Sequence, residues 1–114
     1  MADQAPERRL AAFRDALARR PDDPFARYSV AMALRSAGDA PGAAAELREL
    51  IRRTPDYVPS YLMLGQVLQG LGRHGDALEA YQEGIAAAQR RGDGHAEREL
   101  RSAADAVGTR GNTP

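Results

Sequence analysis

Histidine and carboxylate side chains are the groups with which this chain could coordinate a metal or transfer a proton. His74 lies two residues before Asp76, and His95 lies between Asp93 and Glu99. A zinc site needs at least three converging protein ligands, and the two histidines lie in different turns without a third ligand at a suitable spacing. The sequence therefore predicts surface histidines and no metal site.

The remaining carboxylates do not form a catalytic set. Glu46 with Glu49, and Glu79 with Glu83, are pairs at helical spacing, but Arg48 and the polar faces around them indicate solvated charges. The chain has no cysteine, and it shows neither a Ser-His-Asp grouping nor a glycine-rich phosphate loop after a strand. Because catalysis needs a nucleophile or a paired acid and base in a pocket, we expect no enzyme activity, no catalytic residue and no cofactor.

The arginines have structural explanations. Arg52-Arg53 and Arg90-Arg91 lie near the C-terminal ends of predicted helices, where a cation interacts favourably with the helix dipole. The tripeptide 91–93 spells the cell-adhesion motif Arg-Gly-Asp, but it falls where a helix should end and is interpreted as a turn.

Composition excludes several classes of partner. Sixteen cationic residues, all arginine, balance sixteen acidic ones, which argues against a dedicated nucleic-acid or membrane-surface binder. No apolar run reaches the roughly 18 residues that a membrane span requires, and the first ten residues are too polar for a secretory signal. We therefore expect a soluble cytoplasmic protein, and the many alanines without lysine suggest a GC-rich bacterial source.

The apolar residues carry a stronger pattern than the polar ones. One stretch has the order aromatic, Leu-Gly, bulky apolar, turn glycine, alanine, aromatic, at Tyr61, Leu64, Gly65, Leu68, Gly72, Ala77 and Tyr81. A shift of 34 residues towards the N-terminus reaches Arg27, Val30, Ala31, Leu34, Gly38, Ala43 and Leu47. A second shift from Leu47 and Ile51 reaches Phe13 and Leu17, so the register extends to an N-terminal half-repeat. The chain is therefore built from a repeated unit of about 34 residues.

This unit resembles the tetratricopeptide repeat, a pair of antiparallel helices, over about residues 8–90. The resemblance implies an all-α helical solenoid. Three positions depart from the family pattern: Arg27 replaces an aromatic, Gly84 a residue such as alanine, and Gln89 the proline that usually closes the repeat. The last departure predicts that the final repeat helix continues past its usual end or that the array stops there.

Start and stop signals divide the chain into helices. Asp23-Pro24 and Asp39-Ala40-Pro41 are typical of helix N-termini, and Gly38 of a helix C-terminus. We predict helices over about 24–37, 41–53, 59–69 and 75–90. The domain should span 6–107 as two full repeats flanked by a half-repeat helix and a capping helix whose apolar face needs cover. The predicted segments are a disordered N-terminus 1–5, an N-terminal helix 7–20, repeat one 24–57, repeat two 58–91, a capping helix 94–107 and a disordered tail 108–114.

In the family, the first helix of each repeat lines a concave face that usually binds a peptide or a partner helix. The resemblance therefore implies that this face carries the partner site. The residues expected to point inward are Phe25, Tyr28, Ser29, Met32, Arg35, Leu62, Met63, Gln66 and Gln69. Some family members hold a C-terminal carboxylate with basic residues here, but Tyr28, Met32 and Met63 occupy matching positions, so no carboxylate clamp is expected.

Two interpretations of this apolar face remain open. It can belong to a non-catalytic adaptor or scaffold that binds an apolar peptide or an amphipathic helix, since methionines and aromatics suit such partners. Alternatively, the chain is a self-assembly unit that forms a homodimer through its apolar face or its terminal helices. The chain's own termini can also cover the face, because two full repeats are fewer than the three usually needed for stability.

Overall fold

Six helices form the protein in the computed structural model, which describes residues 5–111, with side chains up to residue 108. They are α1 (Ala5–Arg19), α2 (Pro24–Ser36), α3 (Ala40–Arg53), α4 (Pro59–Gly70), α5 (His74–Arg91) and α6 (Gly94–Gly111). Each helix packs on the next one along the chain, and α6 also contacts α4. No strand occurs within these described residues. The predicted all-α helical-repeat fold is confirmed.

Capping side chains set several of the helix N-termini. Asp23 accepts a hydrogen bond from the Phe25 amide at 3.0 Å, and Asp39 accepts one from the Gly42 amide at 2.9 Å. Each satisfies an amide that has no partner within its helix. After α2 and α4 the chain turns at Gly38 and Gly72, whose φ angles of 87° and 76° are strained for any other residue. The same turn therefore follows the first helix of both repeats.

The N-terminal helix begins earlier than predicted. Ala5 was assigned to a disordered segment, yet it is the first residue of α1, and Pro6 follows it inside the first turn. A proline is tolerated there because the amide it lacks would have no partner in the helix. Residues 1–4 of the predicted segment lie outside the described part of the chain.

Helix α5 ends within one residue of its predicted end, whereas helix α6 ends later than predicted. Helix α5 continues to Arg91, because Gln89 keeps the backbone amide that a proline would remove. Helix α6 continues to Gly111, so residues 108–111 of the predicted disordered tail are helical. No proline occurs between Gly94 and Pro114, so the sequence contains no strong helix breaker before that point. Residues 112–114 lie outside the described chain.

A reciprocal contact between aromatic rings and glycines joins the two helices of repeat two. A Cβ atom built on Gly65 of α4 would lie 2.1 Å from Cε1 of Tyr81 of α5. A Cβ atom on Gly84 of α5 would lie 2.5 Å from Cβ of Tyr61 of α4. Both tyrosines are buried, and the absence of a side chain on each glycine allows the opposite helix to approach. The Tyr61 hydroxyl donates to the Pro55 carbonyl, so its polar end is also satisfied.

In repeat one, different residues occupy the positions of this contact between helices. Arg27, which is equivalent to Tyr61, forms an ion pair with Glu46 at 2.8 Å, and its side chain is only 12% exposed. Leu50, equivalent to Gly84, is fully buried. The two departures from the family pattern, Arg27 and Gly84, therefore lie at the two positions that make this contact in the repeats. In repeat one, the first helix has Arg27 and the second has Leu50. In repeat two, the first helix has Tyr61 and the second has Gly84.

The close approach at Gly65 predicts that one added methyl group lowers the stability of the fold. Gly65→Ala places a Cβ atom against the Tyr81 ring, and overpacking of this kind typically costs about 1 to 3 kcal/mol. We expect a lower free energy of unfolding in urea. Gly75→Ala is the matched control, because a Cβ atom there meets nothing within 4 Å and alanine favours a helix. A Gly65→Ala variant as stable as the wild type would contradict this packing.

The ion pair of repeat one predicts a measurable coupling free energy between Arg27 and Glu46. Arg27→Met leaves the half-buried Glu46 carboxylate unpaired, and substitution of Glu46 leaves Arg27 unpaired. The double variant should therefore lose less free energy of unfolding than the sum of the losses in the two single variants. A double-mutant cycle with Glu46→Gln should give a coupling of about 1 kcal/mol. The exposed pair Arg19 and Asp15, 75% and 66% exposed, should show weaker coupling. Equal coupling in the two cycles would indicate that burial adds nothing at Arg27.

Candidate functional site

A groove of about 280 Å³ opens on the inner side of α4, between α2 and α6. We call it the inner groove. Its floor comes from α4 and the residue before it, one wall from α2, and the other from the turn before α6 and from α6 itself. The lining residues are Tyr28, Val58, Pro59, Leu62, Met63, Gln66, Asp93, His95, Ala96, Glu99 and Leu100.

Apolar side chains form the floor of the groove. Val58 and Met63 are buried, whereas Leu62 is half-buried and remains open to the groove. Met63 has an unbranched, polarisable side chain that adapts to irregular neighbours. The floor therefore presents apolar surface without a fixed polar contact.

The α2 wall is aromatic. The ring of Tyr28 packs at 58° on the ring of Tyr57, with 5.8 Å between their centroids. Burial raises the pKa of the Tyr28 hydroxyl, and the charge of Arg35 partly opposes this rise. Tyr28 is therefore neutral at ordinary pH and offers the groove a ring face together with one hydroxyl group.

The α6 wall combines apolar and acidic side chains. Asp93 caps α6 by accepting a hydrogen bond from the Ala96 amide at 3.0 Å. One turn further, Glu99 lies 2.9 Å from the Nε2 atom of His95. Ala96 and the buried Leu100 provide the apolar part of this wall. The wall is thus anionic at its rim and apolar at its base.

Four of the nine residues predicted to face a partner line the inner groove, namely Tyr28, Leu62, Met63 and Gln66. Arg35 lies beside the groove and donates to the Gln66 side chain at 3.3 Å. Met32 is 45% exposed. Gln69 accepts a hydrogen bond from the Tyr81 hydroxyl and so belongs to the contact between α4 and α5.

The structure separates the other two predicted residues, Phe25 and Ser29, from the inner groove. Both line a cleft between α1 and α2. The Ser29 hydroxyl is buried and donates to the Phe25 carbonyl at 2.9 Å. Phe25 itself is 64% exposed.

Sequence reasoning missed the contribution of α6 to the site. Ala96, Leu100 and His95 are not among the nine residues predicted to face a partner, because the sequence predicts only a capping helix whose apolar face needs cover, and surface histidines. The contact of α6 with α4 places these residues opposite Leu62 and Met63. A usable signal was present, because the apolar face of the capping helix needed a surface to cover. That helix covers part of the inner face, but it leaves Phe25 and Met32 exposed.

Two other kinds of site are absent from the described residues. Their side chains contain no group of three or more histidines and carboxylates that could hold a metal ion. None of the helices in the described chain has the length and apolar character needed to cross a bilayer.

A family model for the tetratricopeptide repeat matches residues 3–112. The chain belongs to the tetratricopeptide repeat family. It is 32% identical over 84 residues to a TPR repeat-containing protein of Pseudomonas aeruginosa, across 74% of this chain and 80% of that protein. The family identified from the spacing of Tyr61 to Tyr81 is thus confirmed.

Solved structures show the same architecture. A tetratricopeptide repeat domain protein from Salinibacter ruber is 36% identical, with a TM-score of 0.74 over 76% of this chain and 88% of that one. The TPR2B domain of yeast Sti1, solved in a complex with pHsp70, is 20% identical, with a TM-score of 0.82 over 89% of this chain and 81% of that one. The second likeness concerns the fold alone.

The four tyrosines of this tetratricopeptide repeat protein predict a loss of stability at high pH. Burial is the largest cause that raises the pKa of Tyr28, Tyr57, Tyr61 and Tyr81 above the ordinary value of 10.0. The folded state therefore holds these protons more tightly than the unfolded state does. Their stabilising effect is complete below a pH of about 10 and is lost as the pH rises through the folded pKa values.

Urea unfolding measured from pH 8 to pH 11.5 should show a free energy of unfolding that falls above about pH 10. A Tyr28→Phe variant removes one of the four groups and should show a shallower fall. Stability that stays level or increases through this range would contradict the burial of the tyrosine hydroxyls.

Proposed function

We propose that this protein is a non-catalytic protein-interaction module that binds an apolar peptide or an amphipathic helix in the inner groove. The observation that carries the proposal is the apolar floor of α4, which remains open between Tyr28 of α2 and the wall of α6. An amphipathic helix that lays its apolar face into such a groove is a recurrent mode of peptide recognition.

The size of the groove supports a peptide rather than a small molecule. Its volume of about 280 Å³ lies at the lower limit for small-ligand sites, which usually hold about 300 to 1,000 Å³. That space suits one or two apolar side chains that project from a segment lying along the inner face. Tyr28 would act as an aromatic anchor, because tyrosines at the centre of an interface often dominate its energy.

The family relationship supports a protein partner in general. The tetratricopeptide repeat is an interaction fold, and the yeast Sti1 domain of the same architecture was solved with pHsp70 bound. For this chain we infer a peptide or helix partner at the inner groove. The aromatic and methionine residues of that face favour apolar contacts over recognition of a terminal carboxylate.

A substitution on the groove floor tests the proposal. Peptides selected from a displayed random library against the wild-type protein should lose at least about tenfold in affinity for Leu62→Glu, which buries a charge beneath the bound side chain. Calorimetry measures the affinities, and circular dichroism checks the fold. Leu71→Glu makes the same change at a 38% exposed leucine outside the groove and should bind as the wild type does.

Two results would contradict peptide binding in the inner groove. If no peptide is enriched on the wild-type protein, or if Leu62→Glu and Leu71→Glu bind the selected peptides equally well, the inner groove does not capture peptides.

Self-association of the chain is the alternative function, and the exposed apolar side chains of Phe25 and Met32, which lie outside the groove lining, favour it. Light scattering across a concentration series separates the two. A mass that stays near 12.3 kDa leaves the groove available to another protein. A dimer that dissociates in Leu62→Glu would assign the inner groove to self-association instead.

A further inference from the structure

We infer that the segment bound in the inner groove carries a basic residue beside its apolar side chains, and that this residue pairs with Asp93 and Glu99 on the α6 wall. The inference rests on the proposed function and adds the charge of the partner. It follows from the charges that line the groove and from the hydrogen bonds that those charges already make.

The charges on the groove lining have one sign. Asp93 and Glu99 are its carboxylates, and none of the eleven lining residues identified above is an arginine or a lysine. His95 is the remaining ionisable group besides Tyr28. The chain as a whole has no net charge. The anionic wall is therefore a local property of the groove.

Both carboxylates retain an oxygen that can accept a further hydrogen bond. Asp93 uses Oδ1 for the Ala96 amide, and Glu99 uses Oε1 for His95. Among the hydrogen bonds and ion pairs of the described residues, none engages Asp93 Oδ2 or Glu99 Oε2. A partner's guanidinium or ammonium group can therefore bind without displacing a contact that the protein already makes.

A comparison within α6 shows that the missing cation is specific to the wall. Glu97 pairs with Arg101 at 2.9 Å, and hydrogen bonds from Arg101 and Gln89 hold the pKa of its carboxyl below the usual range. Glu99, two residues further along, has only His95. Among the described ion pairs, none brings an arginine to Asp93 or Glu99. The cation that would balance this wall is supplied by the partner in our proposal.

Arg35 defines the other side of the groove. It donates to Gln66, towards the C-terminal end of α4, and its charge lowers the pKa of Tyr28 against the larger effect of burial. A basic side chain of the partner is therefore repelled from the α2 side and attracted towards α6. Complementarity of this kind sets orientation and selectivity more than total affinity.

Three synthetic peptides test the inference. They share one apolar stripe over about four helical turns and carry arginine, glutamine or glutamate at every flanking position. Calorimetry with the wild-type protein at low salt should show that the arginine-flanked peptide binds about tenfold more tightly than the glutamate-flanked one. The glutamine-flanked peptide should fall between them, and the difference should shrink as salt is added.

Two variants test whether Glu99 causes the preference for the arginine-flanked peptide. Glu99→Gln should reduce the preference for arginine, whereas Glu79→Gln should not, although it changes the net charge equally. Glu79 is exposed on α5 and does not line the inner groove. Asp93 is unsuitable for this purpose because it caps α6.

The outcomes separate this inference from the proposed function. Equal binding of the three peptides, with the loss in Leu62→Glu retained, would overturn the requirement for a basic residue and leave groove binding intact. Equal reduction of the preference by Glu99→Gln and Glu79→Gln would also overturn it, because the effect would then be one of net charge. Binding of none of the three peptides would overturn this inference, and it would overturn the proposed function as well if the displayed library also yields no binder.

Discussion

Two tyrosine rings pack against two glycines in repeat two, and this contact sets how closely α4, α5 and α6 approach one another. Tyr81 packs where Gly65 has no side chain, and Tyr61 packs where Gly84 has none. A Cβ atom on Gly84 would also lie 2.9 Å from Cδ2 of Leu100, so this one glycine admits α4 on one side and α6 on the other. The approach of α6 to the core in turn forms the second wall of the inner groove. A packing requirement in repeat two therefore shapes the candidate site.

The two repeats have the same arrangement of helices, but the residues at the contact between their two helices differ in chemistry. Repeat two places an aromatic ring against a glycine, whereas repeat one places an ion pair between Arg27 and Glu46 near a buried leucine. An ion pair that is partly buried contributes less than its contact suggests, because both charges lose water. The N-terminal helix α1 packs on α2 and covers part of the less regular repeat. Each repeat thus depends on a flanking helix, α1 for the first and α6 for the second.

The inner groove joins two features that serve different purposes in recognition. Its apolar floor provides affinity through removal of partner side chains from water. The carboxylates of α6 on one side and Arg35 on the other provide an electrostatic direction across the floor. Apolar contact alone would accept many amphipathic segments, and charge discriminates between them. A partner with an apolar stripe and a basic flank meets both conditions.

Most of the local structure and the family are predictable from the order of the residues alone. Helix boundaries agreed to within a residue or two where Asp23, Asp39 and Gly38 mark them, because capping and turn geometry depend on neighbours in the chain. The 34-residue spacing identified the repeats for the same reason, since each unit repeats one local pattern. The N-terminus of α1 and the C-terminus of α6 are predicted less accurately, because no strong helix breaker marks them.

The set of residues that share the groove depends on how the helices pack together. The nine predicted inward-facing residues follow from the resemblance to the family, and packing divides them. Tyr28 and Leu62 line the inner groove, while Ser29 lies at another cleft and Gln69 accepts a hydrogen bond from Tyr81. The wall from α6 could not be derived from spacing, because its position depends on contacts with α4 and α5 across the fold. Sequence periodicity defines the face of each helix, but the distance between faces is set by side-chain volume at points such as Gly84.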